Sequence, residues 1–153
     1  MIPARPIVFL LRLALGALLI VAGLLKLRDP TAFATEIANY QLLPGGGAVL
    51  AAILPAIEVV VGTSLLVLPR AWRRAAAGAA LALFVMFTAA VASAYFRRIN
   101  IDCGCFGTGG GPIGALTLLR NLALIAMAVV VLRFDRASGA NADPRPVTPA
   151  VSG

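Results

Sequence analysis

Cys103 and Cys105 are the only two cysteines in the chain, and a single glycine separates them. Sulfurs at this spacing can bridge. Their Cα atoms fall within the roughly 4.4–6.8 Å that a disulfide tolerates, although so small a ring is strained. Gly104 removes a side chain from the crowded middle position and opens backbone angles closed to other residues. Strained, exposed disulfides are the exchangeable ones. A structural staple gains most by closing a long loop, which this pair does not do. The spacing therefore points to a redox pair. Two readings compete with it: a static bridge that shapes its loop, and a two-thiolate site for a soft ion such as Cu(I). Arg97 and Arg98 bring positive charge that favours a thiolate, and Asp102 opposes them.

The chain has no histidine. That excludes haem held through histidine and both Ser-His-Asp and Cys-His catalysis, and two cysteines alone cannot complete a four-ligand zinc site. The glycines from Gly107 to Gly111 lack the spacing of a phosphate loop and its following lysine, so they read as a flexible turn.

Glu58 and Arg120 also interrupt long apolar runs. At 1.5 Å per residue, they enter from the same face to depths of roughly 15 and 10 Å, which places them within reach of each other across a bundle. Such a pair either fixes helix register or forms a polar site that relays protons or binds a quinone. Pro55, one turn before Glu58, is expected to kink its helix and free a carbonyl. Arg12 and Lys26 lie nearer the ends of their run and are expected to snorkel to the headgroups.

The surrounding sequence is what lipid demands. Hydrophobic residues make up 61% and charged residues 12%, with mean hydropathy +0.98. A soluble domain carries about 25% charge, so this chain could not cover a soluble surface in polar groups. The net charge of +7 is spread between apolar runs rather than gathered in one stripe, which argues against nucleic acid. The runs cover 7–25, 48–68, 75–96 and 113–132. Each approaches the roughly 20 residues that cross a bilayer, and in lipid only a helix satisfies its own backbone over such a length.

The expected fold is all-α: a polytopic four-transmembrane-helix bundle, forming one domain over 1–134, with a disordered tail at 135–153. The first run is too long for a signal-peptide core and ends without a small-x-small cleavage site. Asp29-Pro30 reads as a helix cap and first turn, and 31–43 as a short interfacial helix between spans one and two. Small residues in span three, from Ala75 to Ala80, suit close helix packing. Arg5, Arg70, Arg73, Arg74, Arg133 and Arg136 flank one side of the bundle, against Lys26, Arg28, Arg97 and Arg98 on the other. The positive-inside rule then expects cytoplasmic termini in the cell inner membrane, with the cysteines on the outer face, where disulfides persist.

Several stretches together resemble the MauE family of methylamine-utilisation membrane proteins, and more loosely the DoxX family. They are 22–30 (Ala-Gly-Leu-Leu-Lys-Leu-Arg-Asp-Pro), 40–44 (Tyr-Gln-Leu-Leu-Pro), 54–58 (Leu-Pro-Ala-Ile-Glu) with Gly62, 102–107 (Asp-Cys-Gly-Cys-Phe-Gly) and 119–121 (Leu-Arg-Asn). The resemblance implies a four-helix membrane protein that helps mature disulfide-rich periplasmic enzyme subunits beside a thioredoxin-like partner. The plan is also similar to DsbB and the vitamin K epoxide reductases. Those proteins use two cysteine pairs, so here the second pair would come from a partner. The reading is thus a membrane thiol–disulfide exchange protein in which Cys103 and Cys105 react, and Glu58 and Arg120 give buried polar support at a possible quinone site. A non-catalytic maturation scaffold and a small soft-metal or solute transporter are the alternatives.

Overall fold

In the computed structural model, the described residues are 4–42, 45–99, 101 and 113–140, with the side chains of 4, 70, 71 and 136–140 outside the description. They form five helices: α1 (Ala4–Arg28), α2 (Pro30–Asn39), α3 (Gly47–Val67), α4 (Arg70–Phe96) and α5 (Ala115–Ala140). All but α2 are long and apolar enough to cross a membrane, so the four expected spans are present. Their bounds pass the apolar runs furthest at the start of α4 and the end of α5. The basic stretch 70–74, read as a connection, is the first turn of α4. The tail expected to be irregular from 135 is helical to Ala140, while 141–153 lie outside the described residues.

Packed neighbours close a ring in the order α1, α3, α4, α5 and back to α1, with α2 laid against α3. The seams are regular. On α1, Val8, Arg12, Leu15, Leu19, Ala22 and Lys26 recur every three or four residues and are all buried. On α3 the matching stripe is Ala51, Leu54, Glu58, Val61 and Leu65. This is the spacing of helices that pack along their length. Large side chains such as Phe9, Leu10, Val60 and Leu116 stay exposed on the outside, as expected for surfaces that meet lipid.

The α1–α3 contact is close because glycines line it. A Cβ on Gly62 would lie 2.7 Å from the Gly16 carbonyl oxygen, and one on Gly23 would lie 2.7 Å from the Pro55 carbonyl oxygen. Without a hydrophobic drive between helices in lipid, such backbone-to-backbone approach is a main source of association. The same contacts set the two helices antiparallel, since residue 16 meets 62 while residue 23 meets 55 and 59.

Helix α2 begins as the sequence indicates. The Asp29 carboxylate accepts from the Ala32 backbone N–H at 2.9 Å and from the Thr31 hydroxyl at 2.7 Å, and Pro30 occupies the first turn. The Ala32 N–H, then the Thr31 hydroxyl, holds the Asp29 carboxyl below its ordinary value of 3.8. A carboxylate with a lowered folded-state pKa stabilises fully above its unfolded value and stops doing so as pH falls through the lowered one. We expect Asp29→Ala to speed hydrogen exchange at Ala32 and across the first turn of α2. Strong acid should do the same to the unmodified protein, after correction for the intrinsic exchange rate. Unchanged protection in the variant would show that the cap contributes nothing.

Both α2 and α4 end in a left-handed residue that is not glycine: Gln41 at φ 52° and Arg98 at φ 54°. At the end of α4, Ile99 N–H donates to the Ala94 carbonyl and Arg98 N–H to the Tyr95 carbonyl, the paired bonds of a Schellman ending. A side chain in this backbone region costs about 1–2 kcal/mol relative to glycine, so something else must hold each residue there.

Candidate functional site

The buried charge in the bundle is an ion pair between helices α1 and α3. Lys26 Nζ donates to Glu58 Oε1 at 2.5 Å, and both side chains are 1% exposed. Each Cα–Cβ bond leans toward its own helix N-terminus. Because α1 and α3 are antiparallel, Lys26 leans down into the bundle and Glu58 leans up toward the α2 end, so the side chains converge. Gly23 makes the approach possible, since a Cβ there would fall 3.2 Å from Glu58 Cβ.

Two rings complete the enclosure. The Lys26 ammonium lies 5.3 Å from the Phe33 ring centroid on α2 and 4.6 Å from that of Phe87 on α4. Both are within cation–π range, and the attraction is larger where water is excluded. Four helices therefore meet at one ammonium group. Glu58 Oε2 has no hydrogen-bond partner among the described residues.

This arrangement corrects the sequence reading in two respects. Lys26 does not snorkel outward. From two residues before the end of α1 it turns back into the bundle, where a carboxylate and two ring faces replace its hydration. Arg12 is also turned inward, with Nη2 3.1 Å from Asp135 Oδ1 on α5. Nor does Glu58 take Arg120 as its partner. Arg120 sits half-buried on α5 and makes interactions of its own, with Asn121 buried beside it. The missed signal was Lys26's place on the 15-19-22-26 stripe, in register with Gly16 and Gly23. Asp135 was missed because it lies past the end of the fourth apolar run, 113–132.

The closure also bears on a quinone. Lys26 holds Glu58 Oε1, and Phe33 and Phe87 cover the ammonium, so Oε2 is the carboxylate atom left to meet a head group. A quinone oxygen at Glu58 Oε1 would have to separate the ion pair.

Cys103 and Cys105 lie outside the described residues, as does Asp102. The ends of their segment are described. Ile113 N–H donates to the Ile101 carbonyl at 3.1 Å, so the chain leaves and returns at one point. Arg97, just before it, donates from Nη1 to the Tyr40 carbonyl at 3.0 Å and from Nη2 to Gln41 Oε1 at 3.3 Å. Its guanidinium is thus engaged at the end of α2. The root of the cysteine segment and α2 share one end of the bundle, and the Arg12–Asp135 pair marks the other.

Comparison with known proteins agrees with this architecture. The family model described as "Methylamine utilisation protein MauE" matches residues 4–134. The chain belongs to the MauE family. A relative named "Methylamine utilization protein MauE" from Paracoccus denitrificans is 40% identical over 128 residues, covering 82% of this chain and 68% of the relative. A second protein of that name, from Methylophilus methylotrophus, is 39% identical over 123 residues, covering 78% of this chain and 64% of the relative. The matched region thus spans about two thirds of each MauE relative. No solved structure matches. The MauE match extends through all four spans and takes in Lys26, Glu58, both cysteines and Arg120.

Proposed function

We propose that this multi-pass membrane protein of the MauE family carries out thiol–disulfide exchange through Cys103 and Cys105. It would support redox maturation of periplasmic proteins beside a thioredoxin-like partner. The observation that carries the reading is the pair of cysteines at Cys-x-Cys spacing, in a segment whose two ends are joined by the Ile113–Ile101 bond. The flanking basic residues support placement in the inner membrane with cytoplasmic termini, so that this segment faces the oxidising side. The name of the relatives supports a client within methylamine utilisation.

The exchange balances without a further reagent. One thiolate attacks a sulfur of the partner's disulfide; an intermolecular S–S bond forms and the partner's other sulfur leaves as thiolate. The second cysteine then attacks its neighbour's sulfur, closing the Cys103–Cys105 bridge and releasing the partner as dithiol. Two electrons and two protons pass to the partner, and the reverse sequence passes them back. In this reading Lys26 and Glu58 hold the frame and take no part in the electron transfer.

Single variants Cys103→Ser and Cys105→Ser are each expected to block turnover, and one of them to accumulate a mixed disulfide with the thioredoxin-like partner, visible on non-reducing gels. The double variant should leave the client without its mature disulfide pattern. The scaffold reading is favoured by the closed Lys26–Glu58 pair, which needs no chemistry to explain it. It predicts the opposite: no adduct from either single variant and normal client oxidation in the double variant.

A further inference from the structure

We propose that the Arg12–Asp135 end of the bundle is a surface for anionic phospholipid headgroups, gathered by Arg5, Arg74 and Arg133. Neither the cysteines nor thiol exchange enters into it.

Three observations place the charge where headgroups lie. The apolar spans run over Arg5–Arg28, Trp72–Phe96 and Ala115–Asp135. Arg5 opens the first of these, Arg74 lies two residues inside the second, and Arg133 lies two residues before the end of the third. Two residues of helix rise about 3 Å, so all three guanidinium groups reach the level of the headgroup phosphates. All three side chains are also exposed, and Arg133 continues the outward line of Leu119, Leu122 and Val130 on α5. They are presented to the surrounding lipid rather than to the bundle interior. Finally, their charge is not neutralised. Among the described residues Asp135 is the one acidic side chain at this end; Arg12 holds it, and it is only 6% exposed. No ion pair among the described residues involves Arg5, Arg74 or Arg133. The opposite end is mixed in sign. There α2 brings Asp29 and Glu36 to the end that holds Arg28, Arg97 and Arg98, and Arg97 is bonded to Tyr40 and Gln41.

Uncompensated arginines at this depth select lipids by charge. A phosphatidylcholine head carries its own choline cation, which they repel, whereas an anionic head offers its phosphate without one. The planar guanidinium fork also matches two phosphate oxygens at once. The expected local enrichment is about fivefold, which corresponds to the roughly 1 kcal/mol of one arginine near an anionic surface.

Trp72 reports on this surface. It is the only tryptophan in the chain, is 66% exposed and begins the same span as Arg74. The full chain is reconstituted in phosphatidylcholine vesicles with a small fraction of phosphatidylglycerol, and bromine is carried on the acyl chains of one lipid or the other. Brominated phosphatidylglycerol should quench Trp72 as strongly as about five times its mole fraction of brominated phosphatidylcholine. Both leaflets contain the anionic lipid, so insertion in either direction gives the same result. Raising the ionic strength with chloride should weaken the preference, since exposed charges are screened. The variant Arg5→Gln/Arg74→Gln/Arg133→Gln should lose most of it, while keeping its helical circular dichroism and its quenching by brominated phosphatidylcholine. Equal quenching by the two lipids in the parent protein overturns the proposal, as does a Trp72 that neither lipid quenches. A preference that survives high salt, or that the triple variant keeps in full, overturns it as well. Inorganic phosphate should act no differently from chloride at matched ionic strength. If phosphate abolishes the preference where chloride does not, the arginines bind free phosphate and the lipid surface is ruled out.

Discussion

Replacing Lys26 with methionine should destabilise the bundle by about 3–5 kcal/mol, the usual cost of stranding one member of a buried ion pair. Methionine keeps much of the length and apolar stem, so packing against Phe33 and Phe87 changes little. What remains is Glu58, 1% exposed, with its single hydrogen-bonded oxygen now unpartnered. The double variant Lys26→Met/Glu58→Leu should recover most of the loss, because well-packed apolar residues often match or exceed a buried pair in stability. Reversible unfolding in mixed detergent micelles, read by helical circular dichroism, gives the cycle. A single variant that costs under about 1 kcal/mol would place the pair in an exposed setting, where such bridges are weak, and would contradict the geometry. Client maturation by the double variant then separates roles. Because Lys26 and Glu58 are assigned to the frame, a double variant of parental stability is expected to keep it.

The second large effect lies in the glycine seam. Gly62→Ala places a Cβ 2.7 Å from the Gly16 carbonyl oxygen and 3.1 Å from Ile20 N, both backbone atoms that no rotamer change can move. The helices must separate, and overpacking of this kind costs about 1–3 kcal/mol. Gly23→Ala meets the Pro55 carbonyl oxygen at 2.7 Å and should also draw Lys26 away from Glu58. At Gly16 the nearest atom is Leu66 Cδ2, the end of a flexible side chain, although the Gly62 carbonyl oxygen follows at 3.0 Å. The expected order of destabilisation is therefore Gly62 and Gly23 ahead of Gly16, measured by the same unfolding assay. Alanine at Gly62 without loss of stability would mean that α1 and α3 are not in backbone contact.

The four spans were legible because length and apolarity suffice to mark a helix in lipid. The cap at Asp29-Pro30 was legible because it is local chemistry. The interior of the bundle was harder to read, for a physical reason: in a membrane helix both faces are apolar, so the periodicity that marks a buried face in a soluble protein is muted. On α1 and α3 the interior is marked instead by small and charged residues. Gly16, Gly23 and Lys26 lie on one stripe, and Glu58 and Gly62 lie on the other. Taken with that periodicity, Lys26 belongs with Glu58. Treated as a lone charge near a helix end, it was expected at the headgroups. Arg120 was attractive as a partner because its depth matched, but depth does not fix the facing direction of a helix. The ring order α1, α3, α4, α5 supplies that information, and it arises only when all four helices pack. The clasp from Arg97 to α2 was similarly hidden, since it joins residues far apart in sequence through a backbone carbonyl.

The most direct test of the account is labelling of Cys103 and Cys105 in intact cells. After mild reduction, a membrane-impermeant maleimide is added from outside and modification of the full chain is followed by mass shift. Both thiols are expected to be modified, and omitting the reductant is expected to protect them because they are bridged. Thiols that react only after the cells are opened would put the pair on the reducing side of the membrane and contradict the exchange mechanism.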